Sequence, residues 1–177
     1  ITLKTTLDKA IDNDPKLKTI AQLDQLTQWH PFNDHHSAPF FDPLYMFGIK
    51  QGFDIVIGNP PYVEHKKLKE ISPTLRKIFT TYSGTADLYV YFYENGIRLL
   101  KPNGVLSFIT SNKFIKTGYG ENLRSYLSDF TIEQIIDFTE VHVFEALVAS
   151  CVLQVVKTKT PENNVSSAHP GQRFAAP

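Results

Sequence analysis

The chain has 177 residues, 42% of them hydrophobic, with 18 basic side chains balanced by 18 acidic ones. That length fits one domain large enough to bury a core. Its single cysteine, Cys151, excludes an intramolecular disulfide and a cysteine-based zinc site, and no apolar run is long enough to span a membrane.

In chain order, residues 3–29 place Leu3, Leu7 and Ile11, then Leu17, Ile20, Leu23 and Leu26, at near-helical spacing around Pro15. Two short helices or one broken helix are expected there. Residues 30–41 read as a loop, and Leu44 to Ile49 is apolar. Phe53–Gly58 is a short apolar run rich in β-branched residues, which reads as a buried strand. Residues 64–80 are mixed and basic, carrying Lys66, Lys67, Lys69, Arg76 and Lys77, and are expected to form a loop and a helix. Residues 86–100 have a helical apolar pattern, and Lys101-Pro102-Asn103-Gly104 reads as a helix stop and turn. A strand follows over 105–110, a helix over 118–127 and a strand over 133–138. A last strand, 152–156, is expected to pair antiparallel with its neighbour. From Lys157 the composition turns to Pro, Asn, Ser, Ala and Gly, as in a linker or tail. Strands alternating with helices specify an α/β fold, the later part of a doubly wound sheet with an edge β-hairpin.

The first of these strands ends directly in Asn59-Pro60-Pro61-Tyr62. In an open α/β sheet, ligands are handled at the carboxyl ends of strands. Two prolines cannot continue a ladder and hold the backbone extended and stiff. The strand therefore ends by presenting an amide, a carbonyl from Pro60 and an aromatic ring on a rigid loop. The Asn59 oxygen and the Pro60 carbonyl can both accept hydrogen bonds from one exocyclic NH2 group, and the Tyr62 ring can stack on the heterocycle that bears it.

Asp54-Ile55-Val56-Ile57-Gly58-Asn59-Pro60-Pro61-Tyr62 resembles the catalytic motif of S-adenosylmethionine-dependent DNA adenine-N6 methyltransferases. More narrowly, the chain is similar to the methyltransferase part of type IIG restriction–modification enzymes. Thr85-Ala86-Asp87-Leu88-Tyr89 resembles that family's fifth motif, Gly104 to Phe114 its sixth, and Val143-Phe144-Glu145 with Ala149-Ser150-Cys151 its eighth. The resemblance covers roughly residues 41–157.

The resemblance implies a partial Rossmann-like methyltransferase fold, S-adenosyl-L-methionine as cofactor and double-stranded DNA as partner. It implies Asn59, Pro60 and Tyr62 as catalytic residues and Phe144, Tyr62 and Lys113 as substrate contacts. Asp87 is implied to reach the cofactor. The family's glycine-rich cofactor turn lies upstream of this motif, yet Gly48 and Gly52 are the only glycines before Gly58. The chain is therefore expected to be the C-terminal half of a catalytic domain, inactive alone. Residues 1–41 form an N-terminal helical segment and loop, 42–157 the partial catalytic domain and 158–177 a linker or tail. Its further partners would be the missing cofactor-binding half and a target-recognition domain. Zero net charge does not bear on DNA binding if the basic surface sits on missing parts. No signal peptide is read, so the expected location is cytoplasmic.

Each residue also has a plainer reading. Asn59 suits a turn beside prolines, and Tyr62 or Phe144 suits a core. Asp87 suits a helix cap and Lys113 a solvated strand end. His30, His35 and His36 with Asp34 invite a metal, but without ordered ligand spacing. Cys151 reads as a buried small apolar residue. Two other functions share the pattern: a protein-glutamine methyltransferase, whose substrate amide also presents NH2, and a non-catalytic nucleic-acid-binding scaffold.

Overall fold

The computed structural model describes residues 41–139 and 149–158 and the backbone of 167–168. The chain divides into two units, Ile1–Gly52 and Phe53–Pro177. The helices expected over 3–29, the loop at 30–40 and most of the tail lie outside the described residues.

In the first unit, helix α1 spans Pro43–Phe47. Asp42 caps it by accepting a hydrogen bond from the Tyr45 N–H at 2.9 Å, and Pro43 supplies a preset φ at the first position. Gly48 ends it in the left-handed region, φ 72°, where a side chain would be strained.

The second unit opens with β1, Phe53–Gly58, with the bounds read from the sequence. A 3-10 turn at His65–Leu68 and helix α2, Ser72–Ile78, fill the basic stretch. Helix α3 spans Tyr89–Leu99 and runs straight into β2, Leu100–Ser111. A short helix α4, Lys113–Lys116, and a 3-10 turn, Gly118–Gly120, lead to α5, Glu121–Leu127. Strands β3, Thr131–Asp137, and β4, Ser150–Val156, follow, and a two-residue strand β5, Ser167–Ala168, falls within the stretch read as a tail.

The sheet order is β1-β2-β4-β3-β5. β1 and β2 are parallel, and β4 is antiparallel to both β2 and β3, so β1, β2 and β3 all run the same way. The late hairpin is present, with β4 inserted against β2 and β3 outside it. This is the partial Rossmann-like α/β arrangement expected from the sequence.

Alternation along the strands builds the core on one face. Leu106, Phe108, Cys151, Leu153 and Val155 are all at most 5% exposed, and their registers align Leu106 with Val155 and Phe108 with Leu153. α3 lays Tyr89, Val90, Tyr93 and Ile97 on this face, and α5 adds Leu123 and Leu127. Each such burial contributes roughly 1.5–3 kcal/mol. Gly96 lets α3 approach closely, since a Cβ there would lie 2.5 Å from Leu106 Cδ1.

Two expectations need correction. The run 53–58 reads as a buried strand, yet Ile55 and Ile57 are 64% and 79% exposed. β1 ends the sheet order, and only its Val56 side packs against the core. The turn at 101–104 does not precede β2 but lies inside it. Phe53 pairs with Leu100 and Ile55 with Val105, so the extra residues bulge outward, with Asn103 at φ 63°. Lys101 in this bulge forms an ion pair with Asp54.

Candidate active site

Because β1, β2 and β3 share a direction, their carboxyl ends lie on one edge of the sheet. Asn59 to Tyr62 leave β1 there, Asn112 and Lys113 leave β2, and Phe138 and Thr139 leave β3. The amino end of β4 returns to the same edge: Asn112 N–H donates to Ala149 O at 3.1 Å and Phe138 N–H to Ser150 O at 2.9 Å.

After β1, Asn59 is exposed, Pro60 buried and Pro61 exposed. Among the described residues no peptide bond is cis. Val63 N–H donates to Pro61 O at 3.1 Å, closing a three-residue turn around Tyr62. That turn leaves the Tyr62 ring 39% exposed. The far side of the turn is tied to the start of α3. Leu88 N–H donates to Val63 O at 2.9 Å, and His65 N–H donates to Asp87 Oδ1 at 3.1 Å.

Asp87 does not cap α3. The cap position is Leu88, without a side-chain cap bond, while the Asp87 carboxylate reaches back to His65. Lys113 is exposed at the first turn of α4, its N–H donating to Ser111 Oγ at 3.3 Å. Phe144 lies outside the described residues, as do His30, His35 and His36. Among the described residues no group of three or more His, Cys, Asp or Glu is placed to hold a metal.

Behind Tyr62 lies a buried polar layer that the sequence does not announce. The Tyr93 hydroxyl shares a hydrogen bond with Thr110 Oγ1 at 2.7 Å. Burial raises the Tyr62 hydroxyl pKa, and the neighbouring Cys151 raises it further. Burial pushes the Cys151 thiol up to about 12, so it is protonated and no nucleophile. Its reading as a buried apolar residue holds, at 0% exposed.

Across the edge, Asn112 joins β2 to β3. Its Nδ2 donates to Asp137 Oδ1 at 2.9 Å and to Thr139 Oγ1 at 2.7 Å, and Thr139 donates back to Asp137 through N–H and hydroxyl. Burial works to raise the Asp137 pKa, but these hydrogen bonds and the Lys116 charge hold it below the ordinary range. The spacing of 25 residues between Asn112 and Asp137 hides this pair from sequence reading. The only signal is that each stands at a strand's end. A cavity of about 460 Å³ lined by Thr80, Asn122, Ser125, Tyr126, Ser128 and Asp129 includes none of the edge residues.

The edge thus offers an exposed amide, a stiff proline pair and a half-open ring on a tied loop. It can hold a planar group bearing an NH2. Among the described residues it supplies no activated nucleophile.

A family model described as Eco57I restriction-modification methylase matches residues 2–144. The type II methyltransferase M.BstVI of Geobacillus stearothermophilus is 37% identical over 119 residues, which are 66% of this chain and 21% of that protein. M.HincII of Haemophilus influenzae is 34% identical over 131 residues, 68% of this chain and 26% of that protein. The restriction enzyme and methyltransferase RM.Eco57I of Escherichia coli is 33% identical over 98 residues, 52% of this chain and 10% of that protein. The chain therefore spans about a quarter or less of the length of these relatives. Among solved structures, a putative class I S-adenosylmethionine-dependent methyltransferase from Listeria monocytogenes superposes with a TM-score of 0.53 at 22% identity. That match covers 68% of this chain and 38% of the other. The ATP-dependent type ISP restriction-modification enzyme LlaBIII, bound to DNA, gives a TM-score of 0.53 at 16% identity, over 78% and 12%. These two likenesses show the fold.

Proposed function

The chain belongs to the Eco57I restriction-modification methylase family, and we propose that it forms the substrate side of a site methylating the N6 amino group of adenine in double-stranded DNA. The methyl group is supplied by S-adenosylmethionine, within a cytoplasmic restriction–modification enzyme. The observation that carries this reading is the Asn59–Tyr62 turn: an exposed amide and a 39% exposed ring, fixed on both sides at the carboxyl edge of the sheet. The type II methyltransferases among the relatives support the transfer of methyl groups.

A base inside a duplex cannot enter such a turn, so it must first be flipped out, at a cost of a few kcal/mol. Stacking on the Tyr62 ring offsets roughly 1–3 kcal/mol of that. Phe144 covers the other face of the base. The Asn59 side-chain oxygen and the Pro60 carbonyl accept the two N6 hydrogens. That draws the nitrogen lone pair out of conjugation with the ring and aims it outward. The transfer is a direct displacement: the amine nitrogen would bond to the methyl carbon as the donor's sulfur–methyl bond breaks, the sulfur would leave as a neutral thioether, and the amine would lose a proton to water. Nothing in it requires a nucleophilic side chain, in keeping with a protonated Cys151. Orientation supplies most of the benefit. Lys113, exposed on the same edge, meets a backbone phosphate beside the flipped nucleotide.

The described residues fit the amine and the base, but offer no glycine-rich turn for the cofactor. We assign the main cofactor contacts to polypeptide outside this chain, which leaves the 177 residues inactive by themselves. The test is a transfer assay on the full-length polypeptide with duplex DNA and a labelled methyl donor, followed by digestion to nucleosides. Label in N6-methyldeoxyadenosine is the expected result. Label in a cytosine, or in a protein glutamine, would contradict it.

A further inference from the structure

The loop that carries Tyr62 is held at its far end by two hydrogen bonds, and only one of them uses a side chain. Leu88 N–H donates to Val63 O at 2.9 Å, backbone to backbone. Asp87 Oδ1 accepts the His65 N–H at 3.1 Å across 22 residues of sequence. The Asp87 side chain is 20% exposed, so this bond is partly shielded from water. The stretch bearing Asp87 is itself pinned. Glu94 accepts hydrogen bonds from Thr80 N–H and Thr81 N–H at 3.1 and 2.8 Å, and the Tyr91 hydroxyl donates to Ser83 O at 3.0 Å. Tyr91 and Glu94 sit on α3, whose inner face is locked in the core.

We propose that Asp87 is a positioning residue, a strut that transmits the rigidity of α3 to the Tyr62 turn and so sets the stacking ring, rather than a cofactor ligand. This rests on Tyr62 receiving the base, as argued above. A carboxylate fits the task, because a charged acceptor holds a backbone N–H more firmly than a neutral one. With the strut removed, the Leu88–Val63 bond still closes the loop. The fold then survives while the ring gains freedom.

Two substitutions attack the same bond from its two ends. Asp87→Ala removes the acceptor. His65→Pro removes the donor together with the imidazole, whose Nδ1 lies 3.9 Å from Asp87 Oδ1, and the backbone accepts it because His65 is the first residue of a 3-10 turn, where proline is tolerated. Glu64 before it is already extended, at φ −67° and ψ 147°, as a residue preceding proline must be. Asp87→Asn keeps an acceptor and serves as the rescue variant.

In the full-length polypeptide, Asp87→Ala and His65→Pro should each lower kcat on duplex DNA with adenine at the target position about ten-fold, and the double variant no further. Base stacking is read separately on a duplex with 2-aminopurine, which has no N6 amine to methylate, at that position. The flipped base should be brighter than in the parent, since stacking on Tyr62 quenches it. Asp87→Asn should stay within about three-fold of the parent, and the cofactor Kd should move less than about two-fold in all four variants. A ten-fold rise in cofactor Kd with kcat unchanged at saturation would overturn the strut and make Asp87 a cofactor ligand. Parent-like kinetics in His65→Pro would overturn it too. Should Asp87→Ala fail to fold, His65→Pro against Asp87→Asn decides the matter. If Tyr62→Ala itself keeps parent-like activity, the failure belongs to the stacking role of Tyr62; if Tyr62→Ala is impaired and His65→Pro is not, it belongs to the strut alone.

Discussion

Glu94 is fully buried on α3, and its Oε2 accepts hydrogen bonds from both the N–H and the hydroxyl of Thr81, each at 2.8 Å. Its Oε1 accepts from Thr80 N–H at 3.1 Å and pairs with Arg98, which also donates to Ile78 O at 2.9 Å. One carboxylate thus fastens the α2–α3 connection to the helix that supports the candidate site.

Burial alone would raise the Glu94 pKa, but the bonds from Thr81 and Thr80 and the Arg98 charge hold it below the ordinary value. A depressed folded-state value gives stability that is present above the unfolded value and lost as pH falls through the folded one. Thermal melts should therefore drop below about pH 4. Glu94→Gln should flatten that acid limb and cost about 2–3 kcal/mol near neutrality, by leaving buried donors poorly matched. An unchanged acid limb would show that Glu94 does not carry it.

Cys151 should be inert in the folded protein. It is 0% exposed, and burial pushes its thiol up to about 12. A disulfide reagent at about pH 8 should react only after denaturant is added. Rapid labelling of the native protein would mean that the layer behind Tyr62 opens readily.

The Tyr62 ring, rather than its hydroxyl, should matter. Tyr62→Phe keeps the stacking face and should retain activity within about three-fold, while Tyr62→Ala should lose roughly ten- to a hundred-fold. The pair is compared by single-turnover methylation of duplex DNA. Equal loss in both variants would shift the role to the hydroxyl.

The fold was legible wherever one signal dominated. Phe53–Gly58 is bounded by Gly52 on one side and Asn59-Pro60 on the other, so its ends could be read to the residue. The helix of α3 followed from apolar spacing, with its observed start at Tyr89. β2 was harder, because Lys101-Pro102-Asn103-Gly104 has turn chemistry but is captured into the ladder. There Asn103 N–H donates to Lys157 O and Lys157 N–H to Gly104 O, at 3.0 and 2.9 Å. No local pattern reveals a partner more than 50 residues away. The exposure of Ile57 was invisible for a related reason, since a run of apolar residues does not say which strand stands at the end of a sheet. Within the site, Asn59 to Tyr62 were named from their chemistry. The Asn112–Asp137 bridge and the Asp87–His65 bond were not, because both join residues that only the folded sheet brings together.

The measurement that bears most directly on the function is methyl transfer by Asn59→Ala in the full-length polypeptide, with cofactor binding followed in parallel by calorimetry. Asn59 is exposed at the end of β1, where the substrate amine would be held. The expected outcome is a rate below about a tenth of the parent, since an oriented hydrogen bond of this kind is worth at least ~1.4 kcal/mol, with cofactor affinity preserved. A variant that keeps more than about a tenth of the activity would contradict the assignment of Asn59 as the group that holds the amine.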